Sequence, residues 1–564
     1  MKGVSPMECG LNFEEGRIIG LIMEKGKIIM KKIICCFLTA ALLICSIGFS
    51  TFASAEDGDN SNYAMSGLKH MDRDVIDMHK NSVTDSNSRS YSSSVELPNS
   101  VNLSESNCFP LIGDQGNVNS CAAFAAVYYQ YTYEVNMLKG TSARIESNQY
   151  SPNWPFYAML PDDDPTVGLK YDDIYSFLKD HGALKWNQDV YDKTAFNPSM
   201  PWPTNEAYVK EAMMTRLSNW EAIEISNIGT VITSNDDPDL NEVKEKLSEG
   251  KILTVGVYWG DAYTNETDQN RDKTIFYRFG SDTQGVGHAL TIVGYDDNVT
   301  YDINGNGYIE SGERGAFKVA NSWGDDWGDN GFFWIMYDAL NGVSSVNGDW
   351  DDLSTRTGAF ENHDNDYLGN GNDYNLFTCI TVEEKSPFLM AEINLNSHNR
   401  YFFNISLVNR FDNEIFDNVH VTSYGGQNYT VPQARTLFFD YDEIISSLNK
   451  IEDETYWGTK TTYFFGNHED FISSIKLTDN VGNVIETMAY EYIDSYTVYY
   501  SCITDFEYGD LNYDGVLTTD DVSLIMQTIT NHPTISNLQR YFADYNGDGV
   551  VNMKDASAVS KAIQ

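Results

Sequence analysis

Apolar residues recur along the chain in three rhythms. Over Cys121–Lys139, Tyr171–His181 and Leu240–Ser248 they fall at helical spacing. Over Ile252–Tyr258, His288–Tyr295, Ala316–Asn321 and Phe332–Met336 they form short runs that read as strands. Helices come first and strands later, so 96–341 is expected to be an α+β domain. An Asn-, Asp- and Gly-rich stretch, 342–373, predicts a linker. From 374 to 505 short apolar runs such as Phe388–Leu395, Tyr401–Leu407, Asn418–Ser423, Thr461–Phe465 and Tyr496–Ile503 alternate with turn residues. This is an all-β pattern, expected to be a sandwich. The last unit, 508–564, has helical patterns at Val522–Thr530 and Ala556–Ile563, each behind an acidic loop, and predicts a small all-α module. Residues 56–95 are polar, with one amphipathic patch at Met71–His79, and read as a pro-segment or flexible lead-in.

The N-terminus adds a destination. Lys31-Lys32, an apolar run from Ile33 to Phe49 and Ala53-Ser54-Ala55 make a secretory signal with cleavage after Ala55. Residues 1–55 are therefore a leader, and Met30 is the favoured true start. No later segment reaches about 18 apolar residues, so no membrane association is expected once the signal is gone. Eight cysteines less Cys9, Cys35, Cys36 and Cys45 leave Cys108, Cys121, Cys379 and Cys502, too few for a disulfide scaffold. Acidic residues outnumber basic ones 82 to 37, a net charge of −45. That field repels phosphate backbones, so nucleic acid is excluded as a partner, and it suits a protein that binds cations.

Three segments carry candidate chemistry. Gln115-Gly116 precedes Cys121, which opens a helix whose dipole stabilises a thiolate. Gly287-His288-Ala289 heads a strand, and Asn321-Ser322-Trp323-Gly324, then Trp327-Gly328, follow another. A thiol needs a base, imidazole titrates in the right range, and the imidazole needs an orienting acceptor. The Cys121 N–H and the Gln115 amide are donors for an oxyanion.

In this order the segments resemble the papain-like cysteine peptidases over 96–341. The resemblance implies a two-lobed domain with Cys121 as nucleophile and His288 as general base and acid. Asn321 would orient His288, Gln115 would line the oxyanion hole, and Trp323 would shield the His–Asn hydrogen bond. Ala122 stands where the family usually has Trp, and Val118 where it often has a further Cys. The pro-segment lacks the family's long helical inhibitor pattern.

Between His288 and Asn321 lies Asp302-x-Asn304-x-Asn306-Gly307-Tyr308-x-Glu310-x-x-Glu313. Oxygen side chains at positions 1, 3, 5, 9 and 12, with Gly at 6, match an EF-hand calcium loop in which Tyr308 would offer its carbonyl. The pattern returns twice near the C-terminus. The first copy has Asp510, Asn512, Asp514, Val516, Thr518 and Asp521 at positions 1, 3, 5, 7, 9 and 12. The second has Asp544, Asn546, Asp548, Val550, Asn552 and Asp555. Calcium is the expected cofactor: two ions in the tandem and a third in the 302–313 loop, where it would lie between the catalytic His and Asn.

The tandem resembles a dockerin, the module that docks enzymes onto cohesins of a scaffoldin. By that resemblance Thr519, Asp520, Met553 and Lys554 take part in partner recognition. The β-region resembles, more weakly, a lectin-like domain, which would add a glycan partner; its aromatics, including Phe438 and Phe439, read as core. The expected whole is a secreted, extracellular bacterial cysteine endopeptidase acting on protein or peptide substrates from a cellulosome. The alternative is a catalytically silent papain-like binding module carried on the same assembly.

Overall fold

A computed structural model describes residues 67–69, 71–80, 97–160, 168–194, 202–225, 238–259, 263–264, 273–278, 287–303, 305–340, 375–397, 403–409, 414–417, 433–442, 456–463, 471–487, 489–492, 497–503 and 507–563. The leader and the 342–373 linker lie outside the described residues. Among the described residues no helix is long and apolar enough to cross a membrane.

One lobe is built on a helical run, Cys121–Ala123, Phe124–Tyr131 and Thr132–Lys139 (together α2), ended by Gly140 in the left-handed conformation, φ 62°. The middle stretch is a wider π-helix, and all eight of its residues are buried. Helices α3 (Asn153–Met159) and α4 (Tyr171–His181) pack beside it. His181 sits fully buried among Trp154, Phe177, Trp202 and Phe439.

The other lobe is a nine-stranded sheet. Its path is β2 (Thr215–Ile225), β9 (Asn375–Glu384), β3 (Leu253–Tyr258), β6 (Gly287–Thr300), β7 (Arg314–Ala320), β8 (Phe332–Met336), β5 (Ile275–Arg278) and β4 (Tyr263–Thr264), with β1 (Ser100–Asn102) on β6. Placing a boundary at 374 assigns β9 to the sandwich. In the structure β9 pairs with β2 along its whole length and with β3 at Thr378 and Phe377. Its Thr378 joins a buried network with Gln130, Tyr175 and Thr254 that ties α2 and α4 to the sheet. Period-two patterning does not say which sheet a strand joins, and tertiary pairing decides it here.

Beyond β9 are two antiparallel sheets. One is four-stranded: β13 (Gln433–Asp440), β10 (Leu389–Ser397), β15 (Phe471–Asp479) and β16 (Val484–Thr487). The other is five-stranded: β12 (Glu414–Asp417), β11 (Phe403–Asn409), β14 (Tyr456–Tyr463), β18 (Thr497–Ile503) and β17 (Ala489–Tyr492). Phe438 and Phe439 are buried in the core. The C-terminal unit is helical: α7 (Thr519–Ile529), α8 (Asn537–Phe542) and α9 (Met553–Ala562). Leu511, Ile525, Ala543, Ala556 and Val559 form its own small core.

Candidate active site and calcium-type loops

Two lobes meet at Cys121. The residue opens α2, and the backbone N–H of Ala289 in β6 points at its Sγ across 3.4 Å. Next to Ala289, His288 is fully buried, and its Nε2 lies 2.8 Å from Asn321 Oδ1. The Ser322 backbone N–H donates to that same Oδ1 at 2.8 Å. An oxygen that already accepts from an amide marks the Nε2 partner as acceptor, so Nε2 carries the proton. Nδ1 is then the basic nitrogen, and it has no hydrogen-bond partner among the described residues.

The Gln115 loop is zipped to the Asn321 turn. Gln115 N–H donates to Ser322 O at 2.7 Å and Gly324 N–H to Gly113 O at 3.0 Å. Ser322 Oγ donates to Gln115 Oε1 at 2.5 Å, and Gln115 Nε2 donates to Val118 O at 2.9 Å. Tyr129 OH, on α2, donates to Asn321 O at 2.6 Å and accepts from Gly113 N–H. The Gln115 loop and the His288–Asn321 pair are thus held as one unit. Trp323 stacks obliquely on His288 with ring centres 4.8 Å apart. A second ring was missed by the sequence reasoning: Trp259, just past β3, meets His288 edge-on at 5.3 Å. Nothing but its place at the end of an apolar run marked it.

The cleft is covered. Residues 67–69 form an isolated parallel bridge with residues 168–169, with Lys69 N–H to Leu169 O at 2.9 Å and Leu169 N–H to Gly67 O at 3.1 Å. Gly67 lies directly over the Cys121 thiol: a Cβ there would come 2.5 Å from Cys121 Sγ and 2.6 Å from Asn119 O. Only glycine permits that approach. The amphipathic patch forms α1 (Arg73–His79), pinned by Arg73 and Lys80 on Glu224 and by His79 stacked on Trp220 at 3.8 Å. Burial pushes the Cys121 thiol up to about 12, against backbone N–H groups that pull it down. Burial also lowers His288 to about 4, opposed by the Asn321 hydrogen bond. The covered pair is therefore neutral thiol and neutral imidazole.

The three twelve-residue loops share a backbone pattern over their described residues, and Asn304 lies outside these. Positions 4 and 6 are left-handed in each: Gly305 and Gly307 (φ 69° and 84°), Tyr513 and Gly515 (59° and 78°), Gly547 and Gly549 (69° and 82°). The first Asp accepts from the amides at positions 5 and 6: Asp302 from Asn306 and Gly307, Asp510 from Asp514 and Gly515, Asp544 from Asp548 and Gly549. The last carboxylate is fully buried in each, as Glu313, Asp521 and Asp555. It accepts from the amide at position 9: Glu310, Thr518 and Asn552. The donor sets are all oxygen and fit a hard cation. Thr519, Asp520, Met553 and Lys554 lie in the first turns of α7 and α9, with Met553 58% exposed. The 302–313 loop caps the end of the β6–β7 hairpin remote from the cleft. It is between His288 and Asn321 in sequence but not in space: β7's seven residues put roughly 20 Å between loop and Asn321.

Two family models match parts of the chain. Residues 174–347 match the papain family cysteine protease model, a range that includes His288 and Asn321 but not Cys121 or Gln115. Residues 508–564 match the dockerin type I domain. Cathepsin L1 of Drosophila melanogaster is 25% identical over 269 residues, covering 45% of this chain and 58% of its own. A cathepsin L-like peptidase of Aedes aegypti is 22% identical over 250 residues, covering 42% and 58%. The chain thus spans about 58% of the length of these curated relatives. Among solved structures, xylellain, a cysteine protease from Xylella fastidiosa, aligns with a TM-score of 0.32 at 18% identity, over 51% of this chain and 87% of that one. The chain carries a papain-family cysteine protease domain and, at its C-terminus, a type I dockerin domain.

Proposed function

We propose that the chain is a secreted cysteine endopeptidase, latent in the form described here and displayed outside a bacterial cell on a cohesin-bearing scaffoldin. The observation that carries the catalytic part is the His288 Nε2–Asn321 Oδ1 hydrogen bond beside a helix-opening Cys121. It leaves Nδ1 as the nitrogen able to take the Sγ proton.

Once residues 67–69 leave the cleft, water and substrate reach the pair, and the ionised thiolate–imidazolium form loses its desolvation penalty. Sγ attacks the peptide carbonyl while His288 takes its proton. The oxyanion is met by the Cys121 backbone N–H and the second hydrogen of the Gln115 amide. His288 then protonates the leaving amine, and the acyl group remains on sulfur as a thioester. A water attacks that thioester, gives its proton to His288, and frees the acid with the thiol restored. Trp323 and Trp259 keep water from the His–Asn bond, which strengthens it.

Asp510, Asn512, Asp514, Thr518 and Asp521, with the Val516 carbonyl, would hold one calcium. Asp544, Asn546, Asp548, Asn552 and Asp555, with the Val550 carbonyl, would hold a second. Asp302, Asn304, Asn306, Glu310 and Glu313, with the Tyr308 carbonyl, would hold a third. Bound calcium neutralises the carboxylates gathered in each loop. The two antiparallel sheets after β9 are the halves of a sandwich. The exposed first turns of α7 and α9 meet the cohesin.

The test is hydrolysis of an unspecific protein substrate under reductant, after release of residues 56–95. Wild type is expected to hydrolyse it, and Cys121→Ala to lose at least about 10⁴ of the rate. A folded wild type with no activity sinks the peptidase reading in favour of a silent binding module.

A further inference from the structure

Dockerin residues divide between two cores. Those of α7 and α9 close on each other around Ile525 and Val559. Leu538 and Phe542, on α8, belong instead to the large cluster that contains the four-stranded sheet, and both are essentially buried. Polar contacts follow the same line. Asn537 N–H donates to Asn480 Oδ1 at 2.9 Å, and Asn537 Nδ2 donates to Ser386 O at 3.2 Å. Asn480 Nδ2 in turn donates to Ser386 Oγ at 3.0 Å. The Tyr541 ring meets Phe388 edge-on at 6.1 Å.

A strained residue points the same way. At position 4 the other two loops use glycine for the left-handed turn; the first dockerin loop uses Tyr513 at φ 59°. A bulky residue there costs about 1–2 kcal/mol. Its ring packs against the same large cluster as α8, not against the dockerin's own core. Packing against that cluster offsets the strain.

We infer that the dockerin is clamped onto its own chain's four-stranded sheet through α8 and Tyr513, so that the sheet is its fixed base and α7 and α9 alone remain for an outside partner. The face between the repeats is thereby committed to an intramolecular contact. The scaffoldin-bound protease is then carried at one set orientation instead of swinging on a tether. The clamp depends on the dockerin reading, because folding of the loops places α8. Loss of calcium should release the sheet surface around Ser386, Phe388 and Asn480.

The experiment is amide hydrogen exchange on the full chain carrying Asn537→Ala and Tyr541→Ala, in calcium, beside wild type. We expect exchange to rise at least tenfold in 385–391 and 477–484, with α7 and α9 still protected, and the radius of gyration from X-ray scattering to increase. Unchanged exchange and radius, with α7 and α9 intact, overturn the clamp. Chelation of wild type gives a second arm. Loss of protection in α7 and α9 together with 385–391 and 477–484 supports the clamp. Loss in α7 and α9 alone overturns it. If chelation leaves α7 and α9 protected, the calcium reading of the dockerin fails, and the substitution arm alone decides the clamp.

Discussion

The candidate catalytic groups come from stretches spread between Gln115 and Asn321, whereas each twelve-residue loop takes its oxygen donors from itself. The cleft is assembled by long-range packing: α2 against β6, the Gln115 loop against the Asn321 turn, and a strap laid over both. The loops are assembled by local chemistry, and the same φ pattern and amide bonds recur in two settings. One lies between two strands, and the other two lead into helices. The cleft is neutral and dry in its covered form, while the loops concentrate negative charge. The first arrangement should therefore answer to packing and pH, the second to cations.

The contrast breaks most visibly at the loops. In Asp510→Ala with Asp544→Ala, α7 and α9 should unfold even at millimolar calcium, since so small a core does not stand without its ions. Exchange of the α7 and α9 amides should become fast while α2 stays protected. Equal loss in α2 would mean that the two regions are not independent.

Acid sharpens the other half. His288 is held below its unfolded value, so its contribution to stability is present above about 6.5 and is lost as pH falls through about 4. The burial of a neutral imidazole is worth at most about 3 kcal/mol over that window. Urea unfolding at pH 7 and pH 4 should show this slope, and His288→Gln should flatten it. Cys121 is raised, so it stays protonated throughout that window and adds nothing to the acid side. An identical slope in His288→Gln would place the acid sensitivity elsewhere.

Asn321→Ala should lower kcat about a hundredfold with little change in KM, because it frees the imidazole without touching substrate binding. A KM effect of the same size would show that the turn shapes the cleft instead. Smallest is Glu313→Gln, which removes the charge from a fully buried position at the remote end of the β6–β7 hairpin. We expect about 1 kcal/mol of lost stability in calcium, read by thermal unfolding, and kcat unchanged. A fall in kcat would join loop and cleft after all.

What the sequence disclosed followed the same divide. That Cys121, His288, Asn321 and Gln115 come together was legible because few residue types suit the proposed chemistry, and the order of the segments narrowed them further. The loop residues were legible because their spacing is local. Trp259, the Gly67 crossing and the α8 clamp were not, since each is defined by what lies opposite it and not by its neighbours in the chain. The 302–313 loop shows both sides. Its pattern was read from the residues, but its distance from the cleft follows from hairpin length, and position between two catalytic residues misled.

Strand β9 sets the timetable of biosynthesis. Residues 375–384 fill the slot between β2 and β3, so a nascent chain that has emerged only as far as Asn321 owns every candidate catalytic side chain and still lacks a closed sheet. Until about sixty more residues follow, β2 and β3 present two open edges, the situation in which strands recruit wrong partners. The papain-like domain is thus completed by a segment made after its candidate catalytic residues. By then the covering strap, synthesised earliest, is already available to close the cleft.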